Sequence, residues 1–240
     1  MIKVEVLYPE FCNLFGDDFN ARYLAMCDDS IELIHTNLNS EPYFVRNDDV
    51  KMIIMGAMTE DAQELCLEKL RPLKARIEEL IEKNVIFLLT GNSLELFGKS
   101  IENEDGTSIE CLDIFHTVAR RKMLDRHNSL FIGEFEDIEV VGFKSQFTHS
   151  YGDTEGIGLF RKTGGVGFCP DNSYEGVRIH NLFATYLIGP LLVMNPLFTN
   201  KILGMLGIKE PHCKYEEVAV KAFRQRAEEF RKYANTPRSH

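Results

Sequence analysis

An α/β fold with a mostly parallel central sheet and helices on both faces follows from three features of the sequence. Strand and helix patterns alternate through roughly the first 100 residues, as in chains that build parallel sheets by crossover. Two short runs, Met52–Met55 (MIIM) and Val85–Leu89 (VIFLL), are wholly apolar, the mark of strands covered on both faces. The stretch Phe87–Gly98 (FLLTGNSLELFG) passes from a buried strand through a sharp turn into a helix start, a geometry that can present a nucleophile at the turn.

The elements follow in order. Ile2–Tyr8 alternates and is β-branched, a strand pattern. Asp17–Cys27 opens with acids, which suit a helix N-terminus, and Ile31–His35 is a short strand. After Gly56, Thr59 is placed to cap a helix whose apolar spacing runs to about Lys83, with Pro72 breaking or kinking it. A helix is expected from about Ser93, with Asn92 and Ser93 as its caps. The second half is richer in β signals: Ile138–Phe143, Val166–Cys169 and Ile179–Leu187 are expected strands, and Ser150–Gly158 and Thr163–Gly165 loops. Pro190–Leu206 reads as a helix opened by proline and divided near Pro196. Tyr215–Tyr233 reads as a helix with Ala219, Ala222, Phe223, Ala227 and Phe230 toward one face, and Ala234–His240 as a frayed tail. Residues 1–208 are expected to form one domain, with the helix and tail of 209–240 packed on it or extending from it.

Composition narrows the function classes. The chain has 240 residues, 44% hydrophobic and 27% charged, with a net charge of −10. That balance argues against non-specific binding to nucleic acid or anionic membranes, both of which require clustered Lys and Arg. No apolar run reaches the roughly 20 residues needed to span a bilayer, and MIKVEVLYPEF lacks a signal-peptide core, so the expected location is cytoplasmic. The six cysteines form no CxxC pair, so neither a metal site nor a cofactor is expected, and they read as reduced, partly buried thiols.

Two long segments carry a family resemblance. Tyr8–Asn20 (YPEFCNLFGDDFN) is similar to the LYP-x-x-x-N-L-Y-G-D-x-x-N signature of the cobyric-acid-synthase-like class I glutamine amidotransferases, of the type found as the glutaminase subunit of lipid II isoglutaminyl synthase. Thr185–Leu192 (TYLIGPLL), followed by Asn195-Pro196, resembles that family's T-Y-L-H-G-P-L-L…N-P. The Phe87–Gly98 stretch falls where the family has strand-C-G-G-Y-Q-x-L-G. The resemblance covers about residues 1–206 and implies a three-layer, flavodoxin-like fold. It also implies a chemistry: a thiolate at the elbow attacks the glutamine amide, a histidine moves protons, backbone N–H groups hold the oxyanion, and ammonia passes to a synthetase partner.

Each part of that device has been replaced here. The nucleophile position falls on Thr90, with Gly91 the alternative one residue on, and neither is cysteine. The base position falls on Ile188, which takes no proton. The family's Gly-Gly-Gly oxyanion loop reads Gly56-Ala57-Met58. The F-E-N-H-x-G-R-T loop reads Phe143–Ser150 (FKSQFTHS), with His149 where the arginine should be. Among stand-ins, His149 is either a ligand contact or a solvated loop residue, and Glu95 either faces the pocket or is solvated. His180, expected mid-strand eight residues before Ile188, and Cys111 are weaker candidates. The N–H groups of Thr90, Gly91 and Asn92 remain an anion site in principle. The expected protein is therefore a degenerate amidotransferase. It would bind a small molecule at the vestigial glutamine pocket, or act with a Mur-ligase-like or other ATP-dependent synthetase. The alternatives are an enzyme with altered pocket chemistry and a glutaminase completed by its partner.

Overall fold

A computed structural model of the chain describes residues 1–234; the last six residues of the expected tail lie outside the described residues. The first half alternates as expected: β1 (Ile2–Leu7), α1 (Phe19–Cys27), β2 (Ile31–Thr36), β3 (Val50–Met55), α2 (Glu60–Leu70), α3 (Lys74–Glu82) and β4 (Ile86–Thr90). The Thr59 hydroxyl accepts from the Ala62 N–H, capping α2. Pro72 sits in a 3-10 turn, Arg71–Leu73, that divides α2 from α3. The second half adds β5 (Ser100–Glu102), β6 (Ser108–Glu110), β7 (Val118–Arg121), β8 (His127–Phe135), β9 (Ile138–Gln146), β10 (Thr148–Tyr151), β11 (Gly158–Gly165), β12 (Tyr174–Ile179) and β13 (Leu182–Thr185). It closes with α4 (Leu191–Met194), α5 (Pro196–Met205) and α6 (Glu216–Tyr233).

The central sheet is mixed, which corrects the expectation of a mostly parallel one. Its nine strands run β2-β1-β3-β4-β13-β12-β11-β8-β9. The first five in that order are parallel to their neighbours, and from β13 to β9 every pairing is antiparallel. The cause is local. Glu136-Asp137 joins β8 to β9 and His180-Asn181 joins β12 to β13, and a two-residue connection can only make a hairpin. Glu136 and His180 take the left-handed backbone such turns require, with φ of 55° and 52°. His180 is therefore a turn residue, not a mid-strand one. A second sheet, β10-β7-β5-β6, stands apart from the first.

Helices cover both faces. Cys66, Leu67, Leu70 and Ile77 of α2 and α3 share a core with Ile53, Met55, Phe87 and Leu89. Ala21, Leu24, Leu191, Phe198 and Ile202 of α1, α4 and α5 pack with Met52, Ile54, Ile86 and Leu88. Alternate residues of β3 and β4 thus point to opposite cores, as the continuous apolar runs require. Phe223 and Ala227 of α6 lie on Ile132 and Val141, whereas Ala222 is exposed, against expectation. The Val166–Cys169 segment is not a strand: the buried Lys144 ammonium donates to the Gly167 carbonyl at 2.6 Å and to that of Val166 at 3.4 Å. Thr163–Gly165, expected as a loop, completes β11. Among the described residues no helix is long and apolar enough to cross a membrane.

Candidate functional site

A cavity of about 220 Å³ opens at the carboxyl ends of β3, β4 and β13, where ligands bind in sheets of this kind. Ala57 and Met58 follow β3, Gly91 and Asn92 follow β4, and Tyr186 and Ile188 follow β13; all six line it. Gln146, Phe147 and Thr148 close another side, and Arg126 reaches in with its guanidinium 4.4 Å from the Phe147 ring centroid.

The sharp turn after β4 falls on Gly91. Thr90 keeps an extended backbone, with φ −113° and ψ 149°, whereas Gly91 has φ +60°. Thr90 is fully buried, and its hydroxyl donates to Asp17 Oδ1 at 2.6 Å. Of the two alternatives the elbow is thus Gly91, and Thr90 turns away from the cavity into a structural bond. A Cβ on Gly91 would stand 2.5 Å from Ala57 Cβ and 3.1 Å from Ile188 Cγ2. Gly91 and Ile188 are therefore neighbours, and the methyl groups of Ala57 and Ile188 fill the space that a side chain at Gly91 would need.

The loop after β3 has its donors engaged. The Met58 N–H donates to Asn92 Oδ1 at 2.9 Å, and Asn92 Nδ2 donates back to the Met58 carbonyl at 2.8 Å. Asn92 is thus a clasp between two loops rather than a helix cap. Ser93 also binds across, donating to the carbonyls of Met55 and Thr90 at 3.0 and 2.8 Å. The expected helix from Ser93 is a 3-10 turn, Gly91–Phe97, that ends shortly before β5. Gly56 does not line the cavity: a Cβ there would lie 2.3 Å from Asp17 Cβ and 2.4 Å from the Cys12 carbonyl. It is glycine because the N-terminal loop crosses it.

Asp17 sits at the centre of that crossing. Burial pushes its carboxyl up, opposed by hydrogen bonds from the Thr90 hydroxyl and from the Phe15 and Ala57 amides. Asn13 Oδ1 accepts from the Asp18 N–H at 3.0 Å, and Asn20 Oδ1 accepts from the Leu192 N–H at 2.9 Å. The polar residues of the N-terminal signature are thus braces between β1, the elbow and α4.

Glu95 is neither solvated nor on the cavity wall. It is buried under the elbow, where Gln63 Nε2 donates to Oε2 at 2.9 Å and the Tyr186 hydroxyl donates to Oε1 at 3.0 Å. Burial pushes its carboxyl up to about 7, against those two bonds and the Arg121 charge. Arg121 Nη2 donates to Gln63 Oε1 at 2.8 Å, and the Ser150 and Tyr186 hydroxyls lie 2.7 Å apart. Sequence spacing carried no signal for this network, whose members come from α2, β7, β10 and the end of β13. His149 packs its ring against His127, centroids 4.9 Å apart, rather than entering the cavity. Burial and the His127 charge hold it down at about 4. Cys111 also lies off the cavity, and burial with the Glu95 charge pushes its thiol up to about 12. The sequence reading missed Arg126 and Tyr186 as cavity residues, although Tyr186 lies inside the quoted C-terminal signature; Met58, Phe147 and Ile188, which it considered as residues that could fill the pocket, all line the cavity.

The fold is similar to that of glutamine amidotransferases of known structure. A crystal structure of a glutamine amidotransferase superposes with a TM-score of 0.58, 16% identical, covering 85% of this chain and 98% of that one. PurLQS from Thermotoga maritima gives 0.56 at 13% identity, covering 94% and 99%. In sequence, the chain is 27% identical over 156 residues to the lipid II isoglutaminyl synthase (glutamine-hydrolyzing) subunit GatD of Staphylococcus aureus (strain N315). That match takes in 65% of this chain and 63% of the relative, so it spans less than two thirds of the relative's length. No family model matches the sequence.

Proposed function

We propose that this chain is an amidotransferase-like subunit that has lost glutamine hydrolysis and acts by binding. The observation that carries the reading is the elbow: Gly91 offers no nucleophile, and the neighbouring Ile188 offers no base. Losing both groups removes several powers of ten in rate. The engaged N–H of Met58 and the crowding of Gly91 by the methyl groups of Ala57 and Ile188 support this reading. The partner in this reading is an ATP-dependent, Mur-ligase-like synthetase in the cytoplasm, supported by likeness to a protein named as a synthase subunit. Residues 1–208 are the amidotransferase-like unit, with α6 added to it. The cavity remains open, with Arg126 suited to a carboxylate-bearing small molecule.

The test is ammonia and glutamate release from glutamine by the wild type, by Thr90→Ala and by the triple variant Ala57→Gly, Gly91→Cys, Ile188→His. No release is expected from the first two. Release by the wild type, whether or not Thr90→Ala retains it, would overturn the reading.

A further inference from the structure

In the core beside the cavity, the Cys12 sulfur lies against two other sulfur atoms. Cys12 Sγ lies 3.8 Å from Cys66 Sγ and 3.9 Å from Met58 Sδ. They come from three separate elements: the loop after β1, the loop after β3, and α2. All three residues are buried, and Met58 also lines the cavity, so its side chain is the partition between the two. We propose that Cys12, Cys66 and Met58 form a binding site for a soft monovalent cation, copper(I) in particular.

The spacing fits. A metal–sulfur bond of about 2.3 Å, as in zinc thiolates, puts the three sulfurs of a trigonal site about 4.0 Å apart. Both separations centred on Cys12 are within about 0.2 Å of that value. Ligand type selects the ion. Two thiols and a thioether are soft donors, which favour copper(I), whereas zinc wants four ligands. Among the described residues no three His, Cys, Asp or Glu side chains gather to supply a harder site. A monovalent ion displaces one thiol proton to solvent and leaves the buried cluster neutral, and no electron moves. Entry is through the cavity, past the Met58 side chain.

The probe is copper(I) itself, titrated anaerobically into the full-length reduced protein against the chelator bicinchoninate. Wild type should hold one more tightly bound copper(I) than Cys66→Ser, with three sulfur neighbours in X-ray absorption. Met58→Leu keeps the core volume and so keeps the fold. It should drop the sulfur count to two and weaken binding at least about tenfold. Equal stoichiometry in wild type and Cys66→Ser, nitrogen or oxygen neighbours at the metal, or unchanged affinity in Met58→Leu would each overturn the assignment. None of these results depends on whether glutamine is hydrolysed.

Discussion

Replacing Glu95 with glutamine should stabilise the protein at alkaline pH and do little in acid. Glu95 is buried, with its carboxyl raised from 4.5 to about 7, mainly by burial. Below 4.5 the group is protonated in the folded and unfolded chains alike and contributes nothing. Between 4.5 and about 7 the folded chain holds a proton the unfolded chain has released, so stability falls as pH rises. Above about 7 the full cost stands. At about 1.4 kcal/mol per pH unit, the interval corresponds to about 3 kcal/mol. A glutamine fits the same bonds: its oxygen accepts from Gln63, and its amide donates to the Tyr186 oxygen, which then donates to Ser150. Any fixed change from this rearrangement, about 1 kcal/mol, is the same at every pH. The assay is urea unfolding of wild type and Glu95→Gln between pH 4.5 and 8. The difference should grow toward the variant by about 3 kcal/mol across that range. His149, held down at about 4, titrates over an overlapping window with the opposite sign, losing stability as pH falls. It is present in both proteins and cancels. A pH-independent difference would refute the argument, because it would mean that Glu95 is ionised in the fold at no cost.

Two further substitutions probe the frame around the site. Lys144 and Glu175 form a fully buried ion pair at 2.7 Å, with Glu175 also accepting from Thr185 and the Tyr186 N–H. Lys144→Met should cost about 3–5 kcal/mol in urea unfolding by stranding the carboxylate, and adding Glu175→Gln should recover much of it. Thr90→Val removes the donor to Asp17 and should cost about 1–3 kcal/mol in the same measurement; an unchanged midpoint would show that Asp17 does not need that bond.

The parallel half of the fold was legible because β1 alternates, β3 and β4 hold continuous apolar runs, and helix patterns separate them. The antiparallel half was not. Its hairpin turns use Glu136-Asp137 and His180-Asn181, which carry no glycine to mark a left-handed backbone, so the expected strand Ile179–Leu187 ran through the turn into β13 and most of β12 went unread. The site was legible only where it is local in sequence. The positions of Ala57, Met58, Gly91 and Ile188 follow from the two signatures and the elbow. The Glu95 network does not, because Gln63 and Arg121 lie 32 residues before and 26 after it and meet it only through packing. The choice between Thr90 and Gly91 needed a backbone angle, which no residue type announces.

The pattern of what survives separates fold from chemistry. Asp17 binds Thr90 and presses on Gly56, Asn20 binds Leu192, and Asn195 clasps both backbone groups of Val141 and the Leu191 carbonyl. These are the residues that make the signatures recognisable, and each satisfies a buried polar group whose loss would cost stability. Under the proposed loss of glutamine hydrolysis, the elbow, base and oxyanion positions are released from that constraint. Their replacements instead fit one another: Ala57 and Ile188 occupy the space left by the missing side chain at Gly91. A cysteine restored at Gly91 alone would meet Ala57 and strain a backbone at φ +60°. Reversal therefore needs Ala57 changed together with Gly91, and Ile188 too if a base is to return. On the proposed reading, a loss that requires concerted reversal is hard to undo, and the signature outlasts the reaction because its residues hold buried polar groups in place.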